Sequence, residues 1–194
     1  MLHTDFNLWF REGIRHILTI EALDHILFIT ALCIAHSYLQ WRKTVILVTA
    51  FTIGHSITLA AVALGYIQVN TRWVEFLIPL TIAFTAGQQL LKRQDKPMSD
   101  WLLYGTVLFF GFIHGMAYGA NQIGSLYTRS EAVPLVLAFN LGIELAQLAV
   151  VAGVLLLTLI ITRLCKLPER YWRLLLSSCI LAYAVFLSVK NFPF

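Results

Sequence analysis

Charge is what this sequence has least of. Only 12% of its 194 residues are Asp, Glu, Lys or Arg, about half of the ~25% usual in a soluble domain, while 59% are hydrophobic. That balance excludes a water-soluble globular domain and indicates an integral membrane protein. Cysteine is sparse too: Cys33, Cys165 and Cys179 are scattered, with no Cys-x-x-Cys spacing, and say little about redox compartment. Despite an isoelectric point near 9.1, no basic patch is interleaved with aromatics, so nucleic acid is not an expected partner. There is no long His-rich tract of the kind that buffers metal. The N-terminus lacks a basic region ahead of an apolar run with a small-residue cleavage site, so no removable signal peptide is expected.

What the chain does have is apolar runs. They cover about residues 22–39, 44–67, 74–91, 101–120, 133–161 and 171–189, each near the ~20 residues that a ~30 Å hydrocarbon core requires. Residues 1–20 are amphipathic, with Phe6, Trp9, Phe10, Ile14 and Ile17 set against Asp5, Arg11, Glu12 and Arg15, the pattern of a short interfacial helix. The expected fold is therefore an all-α integral membrane protein, a single transmembrane domain over residues 1–194. It is a six-transmembrane-helix bundle preceded by an interfacial helix. Nine of the 14 Lys and Arg residues lie in the loops after runs one, three and five, including the polar loop at 92–100. The positive-inside rule then puts both termini outside. FTIGHS at 51–56 and FNLGIE at 139–144 share Phe-x-x-Gly at an offset of 88 residues. Each lies in the second run of a three-run half, which suggests two inverted three-helix halves around a midplane site.

Against this apolar background a few side chains are costly. An ionisable group at bilayer depth costs roughly 2.5–3.5 kcal/mol on insertion scales, so it persists when a partner, a proton or a metal offsets the cost. The stretch GIRHILTIEALDHILF at 13–28 carries His16, Glu21, Asp24 and His25, and later runs carry His55, His114 and Glu144. At about 1.5 Å per residue, Asp24, His25, His55, His114 and Glu144 all fall between the midplane and the outer face. His16, Asp24, His25, His55, His114 and Glu144 are the candidate metal ligands. Asp24 could instead orient a histidine ring and fix its tautomer. Imidazole with carboxylate suits Ni²⁺, Co²⁺, Zn²⁺ or Fe²⁺, and the lack of thiolates argues against Cu(I).

Glu21, Thr52, Ser56, Tyr118, Asn140 and Gln147 are supporting or pathway candidates. Asn140, Glu144 and Gln147 form one polar stripe on a helix. Gly111 and Gly115, four apart, present a flat face on which another helix can approach closely. His3, in the terminal tail, and His36, at the inner end of the first run, stand apart from the cluster.

These segments carry a resemblance. G-x-x-H-I-L…D-H-I-L-F at 13–28, F-T-I-G-H-S-I-T-L at 51–59, F-G-F-I-H-G at 110–115 and F-N-L-G-I-E-L-A-Q at 139–147 occur in the order found in the HupE/UreJ family. These are small membrane proteins linked to hydrogenase and urease systems and regarded as nickel or cobalt permeases. The resemblance implies a bacterial-type inner membrane and metal handling at His16, Asp24, His25, His55, His114 and Glu144. The gap of seven residues between His16 and Asp24 is longer than in typical hydrogenase-linked members.

Three functions follow from the residues. The first is a divalent transition-metal permease. The second is an intramembrane Zn-type hydrolase with Glu144 as general base and Asp24 as orienter. The third is a structural or accessory subunit. Expected partners are the lipid bilayer and a metal ion, with a second copy of the chain or metalloenzyme-maturation proteins left open.

Overall fold

The computed structural model describes residues 2–91, 100–122 and 129–194, without the side chains of residues 2–5, 21, 100, 119–122 and 129–132. The polar loop at 92–100 falls almost wholly outside the described residues, as do the side chains of His3 and Glu21. Among the described residues seven α-helices follow in order: α1 Leu2–Leu18, α2 Leu23–Ile34, α3 Trp41–Ala63, α4 Thr71–Leu91, α5 Asp100–Gln122, α6 Arg129–Arg163 and α7 Glu169–Lys190. No strand occurs among the described residues. Among the described residues five helices, α3 to α7, are long and apolar enough to cross a membrane, or up to six spans if α1 and α2 count as one.

That first span is broken. Thr19 is extended (φ −84°, ψ 156°) and a single 3-10 turn, Ile20–Ala22, links α1 to α2, which are bent by 68°. The run expected at 22–39 thus yields a helix of 12 residues, about 18 Å long at 1.5 Å per residue. Helix α2 alone falls short of a ~30 Å core. The break puts Asp24 and His25 in the first turn of α2, within reach of His16 in the last turn of α1.

Helix α1 does not rest on the bundle as a surface strip. Trp9, Gly13 and Ile17, four residues apart, are all buried, and Gly13 sits against the Phe139 carbonyl of α6 while Gly142 of α6 sits against the Phe10 carbonyl. An amphipathic stripe reports that one face is covered, whether by headgroups or by protein. Here protein covers it.

Glycine makes a second contact of the same design. Gly54 of α3 lies on the Leu108 carbonyl of α5, and Gly111 of α5 lies on the Phe51 carbonyl of α3. Gly115 lies on the next turn, against the His55 carbonyl and Thr58, so α3 and α5 run parallel. Thr58 seals this seam by donating to the Phe112 carbonyl at 2.8 Å. The two Phe-x-x-Gly segments therefore play one structural role. Each crosses a helix carrying Gly-x-x-His, at 13–16 in α1 and 111–114 in α5.

Helices α4 and α7 complete the bundle and run antiparallel, with Phe76 against Phe192 and Trp73 against Phe194, both at 5.5 Å between ring centroids. Pro79 has no N–H to offer the Glu75 carbonyl, and that carbonyl takes a hydrogen bond from Asn191 Nδ2 at 3.1 Å instead. Outward, apolar side chains stand exposed at helical spacing, such as Leu137, Leu141 and Leu145 on α6 or Ile53 and Ile57 on α3. In water this would be an unusually large apolar surface; against lipid it is the matched one.

Candidate metal centre

The helix break and the glycine seams bring four imidazoles from four helices together. His25 (α2) is the hub. Its ring centroid lies 4.8 Å from His16 (α1), 6.0 Å from His55 (α3) and 5.3 Å from His114 (α5). His55 and His114 are almost wholly enclosed, because α3 and α5 meet backbone to backbone at the glycines flanking them. The α1–α6 crossing seats His16 against Phe139, 5.5 Å between centroids, and against Tyr118 at 4.3 Å.

Hydrogen bonds decide which nitrogens are free. Asp24 Oδ1 accepts from the His25 backbone N–H at 2.8 Å and from His25 Nδ1 at 3.0 Å. The His25 ring proton is therefore on Nδ1, and its lone pair is on Nε2. Thr81 of α4 donates its one hydroxyl hydrogen to the Ile78 carbonyl at 2.7 Å, so its oxygen accepts from His114 Nε2, 3.2 Å away. That leaves the His114 lone pair on Nδ1. His16 Nε2, His25 Nε2, His114 Nδ1 and one nitrogen of His55 are buried with no hydrogen-bond partner among the described residues, the other His55 nitrogen facing the Asn140 side chain. A buried polar atom left unpaired costs about 1–3 kcal/mol, and four such nitrogens around one hub, one from each histidine, are a donor set that could hold a cation.

The geometry fits a cation. His16, His25 and His55 each bring a ligand atom into a group spanning no more than 4.8 Å, and so do Asp24, His25 and His114. Nitrogens on one tetrahedral ion at ~2.1 Å stand about 3.4 Å apart, so binding would draw these atoms closer together. A cavity of about 420 Å³ leads to the cluster, with Glu12 and Arg15 on its wall and His16, Asp24, His25 and His114 reaching it.

A family model described as HupE / UreJ protein matches residues 1–190. The chain belongs to the HupE/UreJ family. No curated protein and no solved structure matches it.

In this HupE/UreJ protein the remaining sequence candidates divide. Glu144 joins neither triad. It accepts from Thr49 at 2.6 Å and from Thr52 at 2.5 Å, and Thr52 also lies 2.8 Å from Gln147 Oε1. These side chains form a separate hydrogen-bonded cluster between α3 and α6. Its helix turns the carboxylate toward the α3 hydroxyls, and depth along a span, which groups it with the histidines, says nothing about that direction. Ser56 donates to the Thr52 carbonyl at 2.7 Å, an ordinary back-bond within a helix. Asn140 is buried and donates to the Val136 carbonyl at 2.8 Å. Tyr118 walls the cavity, stacked on Phe139 at 4.7 Å.

Thr81 is the participant that the sequence hides. Threonines bonding back to a helix carbonyl are common, and nothing in α4 marks this one as the acceptor for a ring on α5. The second Gly-x-x-His, by contrast, was in plain view at 13–16 and 111–114 and pairs His16 with His114.

Proposed function

We propose that this protein is a permease for a divalent transition-metal cation of the nickel, cobalt and zinc class, its centre built on His16, Asp24, His25, His55 and His114. The observation that carries the reading is the set of four buried, unpartnered ring nitrogens, one from each of His16, His25, His55 and His114, gathered about His25. Neutral imidazoles with one carboxylate suit borderline divalent ions. The cavity supports access from one face. If both termini lie outside an inner membrane, as the basic loops suggest, α5 ends outside, and Ala117 and Tyr118 on the cavity wall support a mouth in the outer half. Glu144 stands apart from this centre as the carboxylate of the α3–α6 hydrogen-bonded cluster.

Hydrolysis is the weaker reading because its general base is missing from the centre. Glu144 is engaged by Thr49 and Thr52, and the cavity wall is formed without it. A purely structural subunit is weaker still, since helix packing gains nothing from unpaired buried nitrogens.

Flux of radioactive Ni²⁺ or Co²⁺ into proteoliposomes tests the reading. Wild type is expected to carry the ion and His114→Ala to fail; flux no greater than that of empty liposomes would overturn it. Uptake is also expected to fall as the outer pH is lowered, since protons and the cation compete for the same lone pairs. Thr81→Val removes the acceptor that fixes the His114 tautomer. It is expected to weaken Co²⁺ binding by about 10–100-fold, the usual cost of losing an outer partner of a ligand, with little change in melting temperature. Equilibrium titration of the purified variant measures it.

A further inference from the structure

Resting on that reading, we infer that the centre is two overlapping stations for one ion, with His25 handing the cation between them. The two three-ligand groups, Asp24–His25–His114 and His16–His25–His55, meet only at His25. They differ in access. Every member of the first lines the cavity, whereas His55 of the second does not reach it and is fully enclosed. They also differ in chemistry: the outer station offers two imidazoles and a carboxylate, the inner one three imidazoles.

His25 makes the stations exclusive. Its Nδ1 is tied to Asp24, so one lone pair, on Nε2, serves both sites and binds one ion at a time. Asp24 keeps its other oxygen for the outer ion. An arriving hydrated cation meets the carboxylate first, where charge draws it in. It then exchanges Asp24 and His114 for His16 and His55 while His25 holds on. Exchanging ligands about a retained one avoids a naked intermediate, which a single deep centre reached in one step would demand. The ligands also sit on different helix pairs: His55 and His114 share the α3–α5 seam, while His16 of the inner station sits in the α1–α6 crossing, so motion of one pair against the other brings His16 toward His55 or away from it and shifts the balance between the stations.

A double-variant cycle on purified full-length protein in detergent tests this, with Co²⁺ as the probe and visible absorption as the readout. In a His55→Ala background the ion is confined to the outer station, and adding His16→Ala is expected to change affinity by less than about twofold, as for independent sites. In a His114→Ala background the ion depends on the inner station, and adding His16→Ala is expected to cost about 100-fold or more, beyond the loss of an outer partner. The two single variants should give different Co²⁺ spectra, one with an oxygen ligand and one without. Equal losses from His16→Ala in both backgrounds, or one spectrum for both variants, would mean a single centre and overturn the hand-off. Wild type that takes up no Co²⁺ would overturn the permease reading beneath it. Should an alanine pair fail to fold, glutamine at the same positions keeps volume and hydrogen bonding while binding Co²⁺ poorly, and the same cycle applies.

Discussion

Gly111→Ala is expected to destabilise the protein while Gly105→Ala, on the same helix, stabilises it. A Cβ at Gly111 would lie on the Phe51 carbonyl, and the obstacle is backbone that cannot rotate aside. Helix α5 would have to draw away from α3, opening the seam that holds His55 and His114. Overpacking of this kind costs about 1–3 kcal/mol, and the neighbouring Gly115 adds a second collision with the His55 carbonyl if both are changed. At Gly105 a Cβ meets nothing within 4 Å, so only the gain in helix propensity remains, about 1 kcal/mol. Gly13→Ala is expected to behave like Gly111→Ala, since the Phe139 carbonyl occupies the same place over it. Thermal melting of the four variants in one detergent measures the signs. A stabilised Gly111→Ala would mean that the α3–α5 seam is looser than described.

The second large effect is expected at His25. His25→Ala removes the one ligand common to both triads, so Co²⁺ affinity should fall by more than the ~10–100-fold that loss of an outer partner costs. Glu144→Gln is the informative contrast. The amide oxygen still accepts from one of the two threonines and its NH₂ group can donate to the hydroxyl oxygen of the other, and since Glu144 belongs to neither triad, Co²⁺ affinity should stay within about threefold of wild type by additivity of separate sites. Isothermal titration of the two variants side by side distinguishes them. If Glu144→Gln loses as much as His25→Ala, the carboxylate moves into the centre when metal binds.

The expense of burying ionisable groups is why His16, His25, His55 and His114 were legible from sequence as a set. His25, His55 and His114 share one expected depth among leucines and phenylalanines, and His16 joins them through the motif at 13–28. The glycine face of α5 was legible for a related reason, because Gly111 and Gly115 recur at one helical turn. What depth could not supply was azimuth. Glu144 shares the histidines' level yet turns toward α3 hydroxyls, and only the assembled bundle fixes that. The first helix illustrates a second limit: its stripe of Trp9, Gly13 and Ile17 announces a covered face without naming the cover. Thr81 illustrates a third, since a single hydroxyl acting as acceptor leaves no pattern in a chain.

The crossed pairing has a consequence for biosynthesis. The surface of α1 that carries Gly13 fits α6, and the two contact points are separated by most of the polypeptide. A ribosome adding about 5–20 residues per second needs about 6–25 s to make the intervening chain. Through that interval the nascent N-terminal segment has no mate for its oily side. It must be sheltered by the insertion machinery or by lipid until its complement emerges. Truncation before α6 would therefore strand the earliest-made helix, and release of such fragments to quality-control proteases follows from the order of assembly alone.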